Sequence, residues 1–456
     1  MNKSTLMSVL IIAILVVVVS EFAKKDVTVP PTPDLEEWPS IDLPTEPGLF
    51  VIGNDLGMLR PCGCAKPVLG GISRRGAFFS TVDPQVMLKS HIVSVGNLIK
   101  EGGRQQELKL EAFLDSMSQM TLGAFCPGDL DLLVGAAFWQ ELLESRSATD
   151  FPIVSANLYY NKKRLFSSHA LLKIGDEQII VTGFVSPSSN ALSEPQLEVQ
   201  AKPDVSEIIA ALAAGDSGKS RHLFVAGTGS LSELESMIEI LGLKSAAKSV
   251  LIALAGVSDL PVMDVKKDKL LGMESGQKGR DVGYTTWPKG SSLEHYTLTG
   301  RFGQDAEQDQ VLEFYRGNVK FEQLLVEVPR FDEAEGEYAG SESCGDCHPG
   351  AHSVWSKTRH AHAFDSLVRT NDQWDPECVQ CHVVDFDRLG GFDPVAIEPI
   401  NVQCEACHGP SMDHVSQQTP TPRGKLGETF CFKCHDLANS PKFDFKTYWP
   451  KIAHTK

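Results

Sequence analysis

The sequence predicts an α/β layered domain followed by a smaller, mainly helical and irregular domain that folds around cofactors. Two observations carry this. Over residues 48–330, short β-rich runs alternate with stretches whose apolar residues recur at steps of three and four, the pattern of strands and helices stacked in layers. Beyond residue 340 the apolar runs nearly vanish, while eight of the eleven cysteines and nine of the thirteen histidines crowd into the last 116 residues. A segment with so little aliphatic core needs something else to fold around.

Taken in order, the chain opens with MNKSTLMSVLIIAILVVVVSEFAKK, an apolar run from Leu6 to Val19 between Lys3 and a charged segment. Residues 1–25 read as a signal sequence or, for want of a small-x-small cleavage site, a retained N-terminal membrane anchor. Either way the rest is expected in the periplasm or another extracytoplasmic space, where cysteines are oxidised or bound to cofactors. Residues 26–47 carry six prolines among acidic residues and read as an extended linker. In 48–330 the strand-like runs are LFVIGN (49–54), HIVSVGN (91–97), FPIVSAN (151–157), QIIVTGF (178–184), HLFVAG (222–227) and VLIALAG (250–256). Helical spacing appears in QELKLEAFLDSM (106–117), SEIIAALAAG (206–215) and SELESMIEILG (232–242). The acidic, glycine-containing FDEAEGEYAG (331–340) reads as a second linker, leaving 341–456 as the second domain. A formal net charge of −17 excludes a nucleic-acid binder and suits a redox partner protein with a basic docking surface.

Four times the second domain shows Cys-x-x-Cys-His: Cys344/Cys347/His348, Cys378/Cys381/His382, Cys404/Cys407/His408 and Cys431/Cys434/His435. This is the attachment signature of haem c, so four covalently attached haem c groups are expected. Two thiols three residues apart reach the two vinyl groups of one porphyrin, and the next residue lies under the iron as its proximal imidazole. Zinc also uses Cys-x-x-Cys pairs but does not require a histidine after each one.

The sixth iron ligand separates a carrier from a catalyst. Only one methionine, Met412, follows residue 340, whereas His352, His360, His362, His414 and His454 remain after the proximal four. Mostly bis-histidine, low-potential haems are expected. His414 lies so soon after His408 that the chain would have to round the porphyrin edge at once, so it is expected to cap a neighbouring haem. The same argument makes His352 solvent-facing. Trp355, Phe364, Trp374, Phe392, Phe443 and Trp449 are among the aromatics available to pack porphyrin faces and edges.

The words CGDCHPGAHSVWSKTRHAHAFDSL, CVQCHVVDFDRLGGF, CEACHGPSMDHV and CFKCHDLANSPKFDFKTYWPKIAH together resemble the tetrahaem cytochrome c-554 family over about residues 338–456. The resemblance implies periplasmic electron transfer through closely packed haems. It supports His360, His414 and His454 as distal ligands with His362 as the fourth, and leaves room for one five-coordinate iron.

Residues 49–79, LFVIGNDLGMLRPCGCAKPVLGGISRRGAFF, with SVGN (94–97), GDLD (128–131), FPIVSANL (151–158) and VTGFVSP (181–187), resemble a 5′-nucleotidase-type metallophosphatase. That resemblance implies a four-layer αββα sandwich with two metals at strand ends. Carried over residue by residue, the ligand set fails. Asp55 remains but Gly57 stands where a histidine is needed; Asn97 replaces the second aspartate; Asp129-Leu130, Gly227-Thr228 and Gly256-Val257-Ser258-Asp259 lack the remaining imidazoles. His91, His169, His222 and His295 lie off these positions and read as structural. Asp55, Asn97, Asp129 and Asp131 could hold one hard cation or merely cap loops. Losing the imidazoles removes the dimetal activation of water, so the expectation is a fold without its old activity. Cys62, Cys64 and Cys126 are expected to supply one disulfide from Cys126, with a three-thiolate site as the alternative.

The expectation for the whole is an exported electron carrier with a non-catalytic phosphatase-like domain for docking or spacing. The alternatives are an oxidoreductase acting on a small nitrogen, sulfur or oxygen compound at one open haem, and a surviving metal-dependent phosphoesterase.

Overall fold

The computed structural model describes residues 40–454 apart from 62–67, 121, 146–150, 190–193, 216–220, 257–261, 264–269, 291, 331–335, 398–399, 422, 424–425, 437–438 and 441. The expected signal or anchor, Cys62 and Cys64 lie outside the described residues. Asp42–Lys456 form one compact unit. Among the described residues no helix is long and apolar enough to cross a membrane.

Among the described residues fourteen strands follow in chain order: β1 (Leu49–Ile52), β2 (His91–Ser94), β3 (Leu122–Phe125), β4 (Leu158–Tyr160), β5 (Lys163–Arg164), β6 (Ala170–Ile174), β7 (Glu177–Phe184), β8 (Leu197–Val199), β9 (His222–Gly227), β10 (Val250–Ala255), β11 (Val262–Met263), β12 (Leu270–Ser275), β13 (Asp281–Thr285) and β14 (Leu293–Thr297). The first sheet has the order β14-β13-β1-β2-β3, and the second β11-β12-β10-β9-β7-β6. Strands β1, β2 and β3 run parallel, as do β7, β9, β10 and β12, with antiparallel strands at the edges. A small third sheet, β5-β4-β8, stands apart.

The apolar alternation along each strand builds the layers. On β1, Val51 joins Val93, Val181, Phe224 and Leu251 in a core between the two sheets. Its neighbours Phe50 and Ile52 face the other way, against Phe78, Phe113 and Val311 on helices Ile72–Thr81, Arg104–Gln119 and Ala306–Phe321. On the second sheet Val225 and Ile252 face Ile208, Leu234 and Ile238 of helices Ser206–Ala213 and Leu231–Ile240. Strands buried on both faces read as continuous apolar runs, and the result is the α-β-β-α order expected.

One expected strand is not formed. FPIVSAN makes single bridges, Ile153 to Phe125 and Val154 to Ser167, because it crosses from sheet to sheet. Phe125 N–H donates to Pro152, and Ala156 N–H donates to Gly183 of β7 at 2.8 Å, so neither sheet pairs with enough of it to make a strand.

From residue 341 the chain is short helices and turns, among them Ser341–Cys347, Pro349–Trp355, Ala363–Thr370, Pro376–Val379, Cys404–His408 and Met412–Gln417. Its one apolar cluster among the described residues gathers Phe364, Leu367, Val379, Val383, Phe386 and Phe392 around the second Cys-x-x-Cys-His word, with Leu325 from the preceding helix. The second half of the linker word is tied down. Tyr338 hydroxyl donates to Asp385 at 2.6 Å, and Ala339 and Gly340 N–H donate to the buried Glu405 carboxylate at 2.8 Å each.

Candidate haem centre and the strand-end edge

Each Cys-x-x-Cys-His word folds as a single helical turn. His348 N–H donates to Cys344 carbonyl at 2.8 Å, His435 N–H to Cys431 at 2.9 Å and His382 N–H to Val379 at 2.8 Å, while the third word is itself the helix Cys404–His408. A single turn keeps the two cysteines and the histidine of each word close together, as attachment of one porphyrin through both sulfurs would require. Sulfurs of different words also approach one another. Cys344 is hydrogen-bonded to Cys404 and Cys381 to Cys434, and Cys407 lies within electrostatic reach of Cys431 and Cys434. These sulfurs stand for thioethers in a haem-loaded chain, so the words are neighbours in the order first, third, fourth, second.

The histidines then pair across words. His348 and His414 rings are nearly parallel with centroids 6.0 Å apart; His408 faces His454 at 6.0 Å and His360 faces His435 at 6.1 Å. Two imidazoles bound to one metal, each nitrogen about 2 Å from it, have centroids roughly 6 Å apart. The pairs therefore have the separation that one iron between two rings demands, and the residues fit haem. Backbone carbonyls face Nδ1 of His382 (Ala363, 2.7 Å), His414 (Thr419, 2.5 Å) and His454 (Ile452, 2.9 Å). An Nδ1–H donated there fixes the tautomer that leaves Nε2 free for a metal. Burial holds His360, His382, His408 and His435 below the usual imidazole range; nearby imidazoles add to this for His360 and His408, and Arg60 adds to it for His382. Neutral rings are what iron needs.

His362 is not brought to a proximal histidine. Its side chain is 63% exposed and lies 3.4 Å from Asp365 on the same turn. His382, the proximal residue of the second word, faces no second imidazole ring among the described residues. His352, expected in solvent, is half-buried against Trp355 with its Nε2 enclosed. The helix Pro349–Trp355 turns it back over Gly345, so closeness to His348 does not push it outward.

At the strand-end edge of the first sheet the expected cation ligands are spent on the protein itself. Asp55 is fully buried and paired with the fully buried guanidinium of Arg75. Burial pushes the Asp55 carboxyl up, and Arg75 pulls it back. Asp131 accepts N–H groups of Asn97 and Leu98 at 2.7 Å each and of Gly128 at 2.8 Å. Asn97 Oδ1 accepts the N–H of Leu130 at 3.1 Å, and Asp129 accepts from Ser189 hydroxyl at 2.9 Å. These groups cap loops, and among the described residues no cluster of three or more His, Cys, Asp or Glu could hold a metal ion. His91, His169 and His222 bond Lys173 carbonyl, Ser168 and Glu177 respectively, and His295, half-buried on β14, has no polar partner among the described residues. Val257, Ser258 and Asp259 lie outside the described residues.

Cys126 is a free thiol, which corrects the expected disulfide. It follows the last residue of β3 with its side chain buried in the core between the sheets, against Gly183, and burial pushes its thiol up.

Sequence reasoning missed the arginines. Arg75 replaces the cation at Asp55, Arg423 pairs with Asp385 beneath the third word, and Arg60 reaches the second word. No local pattern marks them, since each finds its carboxylate across the fold.

Attachment turns facing imidazole pairs define the C-terminal region as a c-type cytochrome, joined to an αββα sandwich. Residues 343–409 match the family model described as cytochrome c554 and c-prime. Cytochrome c-554 of Nitrosomonas europaea is 32% identical over 138 residues, 22% of this chain and 59% of that relative, so the match spans less than two thirds of the relative's length. The C-terminal region is thus similar to cytochrome c-554, a likeness that fits covalently bound haem c at its Cys-x-x-Cys-His words. Solved structures similar to the chain include a 5′-nucleotidase precursor from Thermus thermophilus, at TM-score 0.45 and 16% identity over 65% of this chain and 62% of that one. A putative 5′-nucleotidase from Staphylococcus aureus has TM-score 0.45 and 12% identity over 71% of this chain and 66% of that one. The layer order of the sandwich, helices outside two packed sheets, is the one its motifs led us to expect.

Proposed function

We propose that this chain is an exported c-type cytochrome that carries electrons through four covalently attached haems, with a sandwich domain that docks or spaces and does not hydrolyse. The observation that supports it best is the set of three facing imidazole pairs, His348/His414, His408/His454 and His435/His360, each beside a Cys-x-x-Cys turn. Haem iron supplies one-electron storage when bound. The chain's own part would be to attach each ring through two sulfurs, hold its iron with neutral imidazoles and keep neighbouring words close together. An iron held by two such imidazoles would have little room for a substrate, which favours electron transfer over catalysis.

His382 favours a second reading at one haem. With no facing imidazole among the described residues and with His362 turned to solvent, its iron would keep an open position, where a small nitrogen, sulfur or oxygen compound could bind and react. In either reading, the apolar run in residues 1–25 supports export from the cytoplasm, and the net charge of −17 suits a basic redox partner.

Electron paramagnetic resonance of the oxidised protein tests this. Three low-spin irons and one high-spin iron are expected; His414→Ala is expected to add a second high-spin iron, and His362→Ala to change nothing. Four low-spin irons, with one lost in His362→Ala, would restore His362 as a ligand and remove the open site. One equivalent of carbon monoxide bound per reduced protein, followed by turnover of a small oxidised nitrogen or sulfur compound, would move the assignment from carrier to enzyme.

A further inference from the structure

Among the described residues, polar contacts from the sandwich to the attachment words reach only the second one. Arg60, on the loop after β1, donates from Nη2 to the Cys378 sulfur at 2.7 Å and pairs through Nη1 with Asp372. The Asp372 side chain is 1% exposed, and Arg316 on the helix Ala306–Phe321 donates to its other oxygen at 2.8 Å. Asp375 accepts from Gln105 at 2.7 Å and from Tyr315 hydroxyl at 3.2 Å. Glu377 accepts from Gln106 at 2.6 Å and from Lys109 at 2.7 Å. Three carboxylates in the six residues before Cys378 are thus each gripped by the sandwich.

We propose that Arg60 is a positioning residue for the haem attached at Cys378 and Cys381: it holds the Cys378 sulfur from the sandwich side and sets that haem's reduction potential. This rests on the reading that Cys378, Cys381 and His382 carry a haem. The sulfur Arg60 touches is a thioether once the haem is attached, a weak acceptor bonded directly to a porphyrin substituent. Ferric iron takes up one electron on reduction, so the site's charge falls by one and a cation beside it favours the ferrous form. Asp372 opposes this, and its burial between two guanidinium groups fixes where Arg60 stands. The sandwich thereby acts as the second wall of one haem site, a role beyond docking or spacing.

The test is an optical reductive titration of the full haem-loaded protein, with covalent haem counted on the same sample by the alkaline pyridine method. In Arg60→Gln one of four steps should move to lower potential, its reduction equilibrium falling at least tenfold, about 59 mV for one electron, with the other three unmoved. Arg60→Lys should keep that step within threefold. Asp372→Asn should raise the same step, a reversal that general loosening of the junction would not produce. A four-haem Arg60→Gln protein titrating like wild type, or a step that Asp372→Asn also lowers, would overturn the inference. Should Arg60→Gln fail to mature, the direction of the step in Asp372→Asn decides alone. Three haems in the wild type would instead overturn the reading of the second word.

Discussion

Asp55 keeps its place at the end of β1 but meets a guanidinium. Arg75 neutralises the carboxylate, so the charge at this edge is balanced within the protein itself. The fit is close. Gly279 has φ +56°, and a Cβ there would fall 2.1 Å from Asp55 Oδ1, so glycine is required for the loop to pass. Arg75 Nε and Nη1 and Asp55 Oδ2 are buried without hydrogen-bond partners, which makes the pair costly to keep and costlier to halve. Arg75→Met is expected to destabilise the sandwich by about 3–5 kcal/mol, because it strands a buried carboxylate. The double variant Asp55→Asn/Arg75→Met should recover much of the loss. Denaturant unfolding followed by tryptophan fluorescence checks both, and an unchanged midpoint in Arg75→Met would mean that the pair contributes nothing to stability.

At the scale of elements, the helix Ala306–Phe321 links the sandwich to the second attachment word. It packs Val311, Leu312 and Tyr315 on the first sheet's outer core and presents Tyr315 and Arg316 to Asp375 and Asp372. Its N-cap, Asp305, accepts the N–H groups of Glu307 and Gln308 at 3.0 Å each. Asp305→Ala should cost about 1–2 kcal/mol, read as a lower melting temperature, and Asp305→Asn should cost less than half of that. This helix, β13 and β14 are also where local sequence was least informative. Strand β1 pairs with β13 more than two hundred residues along the chain, and no short window records such a partner. Strands β9 and β10 were legible because apolar residues on both faces leave an unbroken run. The haem words were legible for another reason, since covalent attachment fixes the spacing of Cys344 and Cys347 whatever the fold. Distal partners are set by packing, so His414 could be denied its own word from chain length, but only the folded chain brings it to His348 and leaves His362 in solvent.

For the whole molecule the relevant quantity is where the charge lies. Residues 341–456 hold eleven Lys and Arg against fifteen Asp and Glu, a small part of the total of −17, so most of the acidity belongs to the linker and the sandwich. The four haems proposed above bring two propionates each, which makes the haem region more acidic than its side chains alone. The sandwich grips the second word, so the first word lies at the far end of the neighbour order of first, third, fourth, second. A partner attracted by the whole acidic surface would then exchange electrons at the end away from the junction. Screening decides whether this field matters. The Debye length shrinks from about 30 Å at 0.01 M salt to about 8 Å at 0.15 M, so long-range attraction is largely lost across that interval. Electron exchange with a small lysine-rich cytochrome, followed by stopped flow, is therefore expected to slow about tenfold between those salt concentrations. Exchange with an acidic flavoprotein should hold steady or quicken. Equal salt dependence for the two partners would show that docking is governed by local apolar contact at a haem edge and not by the charge of the chain.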